Sequence, residues 1–376
     1  MYAGTLERGN MKGRLQAAGP PEKEDRRLED ILRSASLSLG VFFIPVAALV
    51  VLVFLVFILS ETPVKTLYYF FAGPFRNVYG FGNMLNAAIP LVLGALGVTI
   101  AMKTGSFNLG GEGQIYFGAF TATAAALFLA KYDFFQYGII TGIIAVSAGV
   151  IASGLLAAIS GFCKARWNTS ELITSFLASS AVIPIVNYFV TGPFLDPQTS
   201  LLSTRKIPPY MRLPLILKPS GLNGSVFIAI LSVLLVSIFL SKTKTGYEFR
   251  MAGKNEIFAR YGGINTKLNT VIAMAISGGF HGLAGAMLVF GTYHAVIKEF
   301  SAGIGWNSLA VALVAGFSPS LIIPASLFFA WIGAGARIAM QNTGLTFETS
   351  SIVQSVIFFL STSLVVRNIF SRKGRS

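Results

Sequence analysis

The residues from Thr104 to Gln114 combine several side chains that could bind a small polar solute. The stretch reads Thr-Gly-Ser-Phe-Asn-Leu-Gly-Gly-Glu-Gly-Gln and lies between two apolar segments. The amides of Asn108 and Gln114 and the carboxylate of Glu112 can hydrogen-bond hydroxyl groups or the polar edge of a ring, on which Phe107 can stack. An ionisable group beside lipid is costly and usually faces the protein interior or an aqueous path. We therefore expect these four side chains to line a polar path.

The glycines of this stretch predict a break in helical structure. Glycine lets backbone polar groups face a cavity, which is tolerated near lipid only where protein or water satisfies them. Two simpler interpretations stay open. The stretch could be a cytoplasmic turn whose glycines cap two helices, and Glu112 could be an interfacial acid favoured by the dipole of a helix that starts at Gly113.

The composition is that of a membrane protein. The chain has 376 residues, of which 54% are hydrophobic and 12% are charged, whereas soluble domains carry about 25% charged residues. The mean hydropathy is +0.69. Cys163 is the only cysteine, so no intrachain disulfide and no cysteine metal cluster can form, and His281 and His294 do not suggest a metal site. We predict an all-α, polytopic bundle of membrane helices.

Ten segments are apolar enough for a membrane helix, which needs about 20 residues. The weakest is 304–317, which is too short to cross comfortably and could be re-entrant or tilted. A transmembrane domain, 37–366, is thus expected between two tails, 1–36 and 367–376. The predicted spans are 37–59, 84–102, 113–130, 137–161, 171–191, 225–241, 268–290, 304–317, 320–341 and 350–366.

The distribution of Lys and Arg predicts the orientation. The net charge is +14, and most Lys and Arg fall on pieces that are cytoplasmic if both termini are inside. The long outer loop, 192–224, is an exception, and long loops follow this rule less strictly.

The N-terminal tail shows no signal-peptide cleavage site, and Met1 or Met11 could be its start. We expect a multi-pass protein of the cytoplasmic (inner) membrane whose basic pieces bind anionic lipid rather than nucleic acid. Arg337 lies within a predicted span.

Small residues suggest tight packing inside the bundle. The run Gly-Gly-Phe-His-Gly-Leu-Ala-Gly-Ala at 278–286 would let neighbouring helix backbones approach closely. His281, within this run, is expected to be a hydrogen-bonded packing residue rather than a proton relay.

The cytoplasmic loop 242–267 is the second informative stretch. Residues 251–261 have helical spacing, and Gly262 and Gly263 are expected to end that helix. A short amphipathic helix usually lies on the membrane surface. Because this one stands between two spans near the middle of the chain, we expect it to dock onto a cytoplasmic subunit.

Several segments in order resemble a known family. Phe107-Asn-Leu-Gly-Gly-Glu-Gly-Gln114 and Ala252-Gly-Lys-Asn-Glu-Ile-Phe-Ala-Arg-Tyr-Gly-Gly-Ile-Asn265 resemble the permeases of ABC importers for nucleosides, simple sugars and branched-chain amino acids, and most of all the nucleoside-type branch. Ser170-Glu-Leu-Ile-Thr174, Thr191-Gly-Pro-Phe-Leu-Asp-Pro197 and Ile276 to Ala286 are similar to further segments of that branch, so the resemblance runs from about Leu85 to Val366. Two positions depart from the family: Ser179 replaces a usual asparagine, and Thr343-Gly-Leu-Thr-Phe347 lacks a usual proline.

The resemblance implies a permease that alternates between outward- and inward-facing states. Its implied partners are cytoplasmic ATPase subunits, a second homologous permease and an extracytoplasmic substrate-binding protein. The chain has no Gly-x-x-x-x-Gly-Lys-Ser/Thr motif, so ATP would be bound by the ATPase subunit, and no cofactor or metal is expected in this chain, which is not expected to be an enzyme. The substrate-path residues we predict are Phe107, Asn108, Glu112, Gln114, Trp306 and Asn307. The predicted ATPase-coupling residues are Gly253, Glu256, Ala259, Arg260, Gly262 and Gly263.

Alternatives remain for the function and for single residues. Simple sugars are the nearest competing substrates. A stand-alone ion-coupled secondary transporter would need intramembrane ionisable groups, for which Glu112 is the candidate. A membrane enzyme would need clustered carboxylates or histidines, whereas Asp196 stands alone in its loop. Glu171 is expected to cap a helix near Lys164, and Trp306 could equally be an interfacial belt residue.

Overall fold

The computed structural model describes residues 46, 49–58, 60–132, 138–343, 352, 355, 356 and 359. The chain divides into a unit of residues 1–47, of which only Val46 is described, and the unit Ala48–Ser376, to which the following applies. Its helices are α1 (Leu49–Ile58), α2 (Pro63–Ala72), α3 (Val78–Lys103), α4 (Gly111–Leu129), α5 (Gly138–Trp167), α6 (Glu171–Thr191), α7 (Ser225–Lys242), α8 (Lys244–Lys254), α9 (Glu256–Tyr261), α10 (Thr266–Leu288), α11 (Ile304–Val314) and α12 (Pro319–Thr343).

Six of these helices are long and apolar enough to cross a membrane: α3, α5, α6, α7, α10 with its π-helical extension to Tyr293, and α12. They confirm a multi-pass helical membrane protein. The predicted spans 37–59 and 350–366 lie largely outside the described residues, so the count of ten and the cytoplasmic termini stay predictions. The tails 1–36 and 367–376 lie wholly outside them.

Two predicted spans are helices outside this set of six. The helix α4 covers the segment 113–130, but its first turn carries Glu112 and Gln114. The helix α11 has 11 residues and is about 16 Å long, whereas the hydrocarbon core of a bilayer is about 30 Å thick. The segment 304–317 is therefore too short to cross on its own.

Polar side chains at helix starts explain several helix boundaries. Asn77 accepts a hydrogen bond from the Gly80 N–H at the start of α3. Thr243 and Asn265 do the same for the first turns of α8 and α10. Such caps satisfy backbone donors that have no partner within the helix.

The long loop 192–224, predicted to be on the outer side, holds little regular structure. It contains a short 3₁₀ turn, Pro209–Met211. Its extended backbone forms isolated bridges, between Leu195 and Thr204 and between Leu215 and Asn223, and a further bridge joins Ser203 to Ile297. Within the described ranges the fold has no β-strand beyond these bridges.

The centre of the bundle is the packing of α10 against α4 and α5, and glycines make it possible. A Cβ atom added at Gly282 would lie 2.7 Å from the Gly149 carbonyl oxygen, and one at Gly285 would lie 2.0 Å from the Ile115 carbonyl oxygen. The backbones are therefore in direct contact, as the small residues at 278–286 predict.

Two adjacent glycines of α10 give a matched test of this packing. A Cβ atom added at Gly278 would meet the Ser153 carbonyl oxygen at 2.3 Å, whereas one at Gly279 would meet Val150 Cγ1 at 3.4 Å, an ordinary contact. We expect Gly278→Ala to destabilise the protein by about 1–3 kcal/mol through overpacking and Gly279→Ala to have little effect. The thermal unfolding midpoint in detergent measures both, and equal midpoints would contradict the close approach of α5 and α10.

Candidate functional site

The segment 104–110 between α3 and α4 is not helical, and its end lies deep within the bundle. A Cβ atom added at Gly111 would lie 3.1 Å from His281 Nε2. Since a helix rises 1.5 Å per residue, His281 stands about 23 Å along α10 from Thr266. The helix α4 thus begins well inside the bundle, and it begins at Gly111 rather than at the predicted Gly113. The segment is not a surface turn.

One face of α6 satisfies the backbone of this segment. Glu171 Oε1 accepts from the Phe107 N–H at 3.2 Å, and Ser175 Oγ accepts from the Leu109 N–H at 3.0 Å. Ser179 Oγ accepts from the Gly113 N–H at 2.7 Å. The three α6 residues are spaced by four, so they share one helix face, and all three are buried. We call Glu171, Ser175 and Ser179 the acceptor column.

The acceptor column is anchored by a charge pair at its N-terminal end. Glu171 Oε1 lies 2.7 Å from Lys164 Nζ, and the same ammonium lies 3.4 Å from Ser106 Oγ. Glu171 is in the first turn of its helix near Lys164, as predicted, but it is buried rather than a surface charge.

Asn108 and Gln114 face each other in a buried network. Asn108 Nδ2 donates to Gln114 Oε1 at 2.9 Å, and Gln114 Nε2 donates to Asn108 Oδ1 at 3.0 Å. Asn108 Nδ2 also lies 2.9 Å from Ser277 Oγ, and His281 Nδ1 lies 2.8 Å from Gln114 Oε1. The exposed fractions of Asn108 and Gln114 are 2% and 1%. His281 is a hydrogen-bonded packing residue here, as the sequence suggests.

Glu112 holds the start of α11. Its Oε1 accepts from the Gly303 N–H at 2.9 Å, and its Oε2 accepts from the Gly305 N–H at 2.8 Å. A Cβ atom added at Gly305 would lie 2.3 Å from the Glu112 backbone nitrogen. Glu112 also lies in the first turn of its own helix, so its carboxylate stands between two helix N-termini, whose dipoles favour negative charge.

The other predicted path residues are partly exposed. Trp306 and Asn307 follow this junction on α11, with the Trp306 side chain 40% exposed and Asn307 half-buried. The Trp306 ring lies 6.3 Å from the ring of Phe176 on α6. Phe107 and Glu112 are also half-buried. The six predicted residues thus comprise a buried amide pair, a partly exposed set at the start of α11 (Glu112, Trp306 and Asn307), and the half-buried Phe107 beside α6.

The loop 242–267 contains two helices, so the prediction of one helix over 251–261 is wrong. The helix α8 ends at Lys254 and α9 begins at Glu256. Asn255 lies between them in an extended conformation, and its Oδ1 accepts from the Phe258 N–H at 3.0 Å. An asparagine side chain that binds the backbone in this way competes with continued helix. Gly262 ends α9, as predicted.

Gly253 connects the loop 242–267 to the segment 104–110. A Cβ atom added at Gly253 would lie 2.3 Å from the Lys103 carbonyl oxygen and 3.0 Å from the Gly105 nitrogen. The backbone of α8 therefore touches the end of α3 directly. Among the predicted coupling residues, Gly253 is exposed on one side and in backbone contact with α3 on the other.

Three apolar side chains of α9 are exposed. Ile257, Phe258 and Tyr261 are 69%, 62% and 88% exposed, whereas Ala259 is 1% exposed. The helical spacing of 251–261 identifies these three residues as apolar positions of the expected docking helix, and it places them away from Ala259.

A polar cluster holds α9 against the start of α10. Arg260 Nη2 lies 2.5 Å from Glu256 Oε1, and Arg260 Nε donates to Thr266 Oγ1 at 2.9 Å. Gly263 follows with φ +78°, which a side chain disfavours. The predicted coupling residues Glu256, Arg260, Gly262 and Gly263 thus shape the loop that presents the exposed α9 side chains.

Comparison with known proteins identifies the family. Residues 80–362 match the family described as the permease component of branched-chain amino acid transport systems. The chain belongs to this permease family. It is therefore a membrane transport subunit rather than an enzyme.

The permease has similar relatives along most of its length. It is 34% identical over 301 residues (80% of this chain, 79% of the relative) to the probable riboflavin import permease RfuC of Treponema pallidum. It is 30% identical over 307 residues (80% and 86%) to the guanosine ABC transporter permease NupP of Bacillus subtilis. It is 28% identical over 306 residues (79% and 83%) to the nucleoside ABC transporter permease NupB of Lactococcus lactis. No solved structure gives a significant match. These relatives confirm the resemblance to the nucleoside-type branch.

Ser179, at a position where asparagine is usual, lies where the helices α4 and α6 of the permease meet. A Cβ atom added at Gly113 would lie 2.5 Å from Ser179 Oγ and 2.7 Å from Ser179 Cα. The two helices are therefore in backbone contact at this point, and position 113 has no room for a side chain. Ser179 supplies the acceptor for the Gly113 N–H.

Replacing Glu112 tests the junction between α4 and α11. Glu112→Ala leaves the Gly303 and Gly305 N–H groups without their acceptor, and each unsatisfied buried group costs about 1–3 kcal/mol. We expect a lower thermal midpoint in detergent and faster amide exchange at 303–306, measured by hydrogen–deuterium exchange mass spectrometry. Glu112→Gln keeps one acceptor oxygen and should give intermediate values.

Glu61→Gln is the control for this experiment, since Glu61 is exposed and the change removes the same charge. If exchange at 303–306 is the same in Glu112→Ala as in the unmodified permease, Glu112 does not hold α11.

Proposed function

We propose that the chain is the membrane-spanning subunit of an ATP-driven importer that carries nucleosides across the cytoplasmic membrane. The relatives named for riboflavin, guanosine and nucleosides support this substrate class, because riboflavin and guanosine each join a flat nitrogen heterocycle to a hydroxylated chain or sugar. A relative named for glucose, 26% identical, makes simple sugars the second candidate.

The observation that carries the proposal is the backbone contact of Gly253 with Lys103 and Gly105. It connects the exposed apolar surface of α9 to the segment that leads to Glu112. Force applied to α9 from the cytoplasm would reach this segment with little loss, since no flexible side chain lies between the two backbones. This is the connection that an ATP-driven permease requires.

The substrate path in this proposal is bordered by Phe107, Glu112, Trp306 and Asn307. Aromatic rings can stack on a heterocycle, and the carboxylate and amide can hydrogen-bond sugar hydroxyls. In this proposal Asn108 and Gln114 do not contact the substrate. Their amides bind each other and fix the course of the segment 104–110 beside the path.

The proposed partners follow from the family. Cytoplasmic ATPase subunits would bind ATP and close against α9, a second homologous permease would complete the membrane domain, and an extracytoplasmic protein would deliver substrate. Closure of the ATPases would move α8 and α9, then the segment 104–110, and through Glu112 the helix α11. The bundle would thereby alternate between outward- and inward-facing states.

Phe258 and Tyr261 test the docking surface. Since both side chains are exposed, Phe258→Ser with Tyr261→Ser should leave the fold intact and remove apolar contact area of the kind that stabilises interfaces. We expect the ATPase to be lost on co-purification in mild detergent and ATP-dependent uptake to fall at least about tenfold.

Tyr132→Ser is the control for the docking test, because Tyr132 is also an exposed aromatic residue but lies near the predicted outer surface. Retention of the ATPase and unchanged uptake by the Phe258/Tyr261 double variant would contradict docking at α9.

Purification from native membranes and uptake assays test the function as a whole. We expect an ATPase and a second permease to be recovered with the chain, and the reconstituted complex to take up guanosine in preference to ribose when ATP is supplied. Preference for ribose would favour the sugar alternative. Ion-gradient-driven uptake by the chain alone would overturn the importer proposal.

A further inference from the structure

A polar cavity of about 370 Å³ lies apart from the path described above. It is enclosed by α2, the start of α3 and the end of α12, at the predicted outer side of the membrane. The polar residues that line it include Tyr69, Arg76, Asn83, Arg337, Gln341 and Asn342. The cavity could hold several water molecules, each of which occupies about 30 Å³ in the liquid, so it also has room for a small ligand group.

The cavity is positively charged. Arg76 and Arg337 line it, and no Asp or Glu among the residues that the structure describes does. Among the described residues the ion pairs are Lys164–Glu171, Lys244–Glu248 and Arg260–Glu256, so neither of the two arginines has a carboxylate partner there.

The position of Arg337 is unusual for a charged residue. Arg337 lies in α12, a helix apolar enough to cross the membrane, where an arginine usually pairs with another group or lines a pathway. Both arginines stand toward the predicted outer side, although Lys and Arg generally favour the cytoplasmic side. An anionic ligand between them would give both guanidinium groups a partner of opposite charge.

The cavity is also rich in hydrogen-bond donors. Asn83 Oδ1 accepts from the Gly221 N–H at 2.8 Å, so its amide nitrogen stays free to donate. Gln341 adds a second amide, and each guanidinium presents several N–H groups.

Contacts around the cavity hold its walls in place. The Arg76 guanidinium lies 5.6 Å from the centre of the Tyr68 ring and 5.4 Å from that of Tyr69, a cation–π arrangement that fixes its position. A Cβ atom added at Gly73 would lie 2.7 Å from Ile338 Cγ2, and one at Gly335 would lie 2.2 Å from the Phe70 carbonyl oxygen. The helices α2 and α12 are therefore in close contact beside the two arginines.

We propose that this cavity binds a phosphate group, and that the phosphate belongs to the headgroup of an anionic phospholipid of the outer leaflet. Arginine binds phosphate oxygens through paired, charge-assisted hydrogen bonds, and Arg76, Arg337, Asn83 and Gln341 supply donors from different walls. The cavity lies at the end of α12, an apolar helix, along which acyl chains would extend into the bilayer. This binding site does not depend on the import function.

The experiment compares lipid and free phosphate on the full-length permease. Detergent-purified protein is incubated with phosphatidylglycerol or phosphatidylcholine, and bound lipid is counted by native mass spectrometry. The thermal midpoint is measured in parallel with and without inorganic phosphate. We expect one phosphatidylglycerol to be retained and to raise the midpoint, because a ligand that binds only the folded state stabilises it.

Variants assign the binding to the cavity. Arg76→Gln with Arg337→Gln removes the charge-assisted bonds, and we expect phosphatidylglycerol retention to fall at least roughly tenfold. The single variants Arg76→Lys and Arg337→Lys keep the charge. Their retention of phosphatidylglycerol should lie between that of the unmodified protein and that of the double glutamine variant. Lys65→Gln removes a charge from an exposed residue of α2 that does not line the cavity, and it should retain lipid like the unmodified protein.

The outcomes separate the possible sources of phosphate. If inorganic phosphate raises the midpoint of the unmodified protein and phosphatidylglycerol does not, the cavity binds a soluble phosphate and the lipid assignment is wrong. If neither stabilises the unmodified protein, the cavity is not an anion site. Both of these outcomes are measured on the unmodified protein, so they test the proposal even if the double variant fails to fold. Equal lipid retention by the folded double variant would place the lipid elsewhere.

Discussion

The structure depends on how the backbone amides of the segment 104–110 are satisfied inside a bundle of apolar helices. A non-helical backbone at that depth is tolerated only where protein groups or water take the place of helical partners. The acceptor column of α6 does this for Phe107, Leu109 and Gly113. Because the column uses three positions spaced by four, one rigid helix face fixes the course of the segment, and α4 can begin deep within the bundle.

The two ends of this segment connect parts of the chain that are far apart in sequence. At one end the Gly253 backbone rests against Lys103 and Gly105. At the other end Glu112 binds the Gly303 and Gly305 N–H groups. Contacts between backbones transmit a displacement with less slack than contacts between long side chains, since interiors of this kind are close-packed. A continuous line of contacts therefore runs from α9 through the segment to α11.

Much of the fold could be predicted because hydropathy alone locates long apolar helices. The predicted segments 171–191 and 225–241 differ from the helices by at most one residue. The break at Asn255 could not be predicted from spacing, since apolar residues continue at helical intervals across it. The partners of Glu112 lie more than 190 residues away in the chain, so the carboxylate could be recognised from sequence as unusual but not as an anchor for α11. For the same reason the sequence predicts that Asn108 and Gln114 line the substrate path, whereas the fold buries their side chains against each other.

The position of Glu112 explains how a carboxylate can occupy the interior of the bundle without a basic partner among the described residues. Two helix N-termini point toward it, and each carries a partial positive charge of roughly half an elementary unit. The two N–H groups of α11 occupy one oxygen each. This arrangement gives both N–H groups an acceptor and places the negative charge where the helix dipoles favour it. It also makes the start of α11 the element that must shift if the surroundings of Glu112 are to change, because both N–H groups that bind the carboxylate belong to the start of α11.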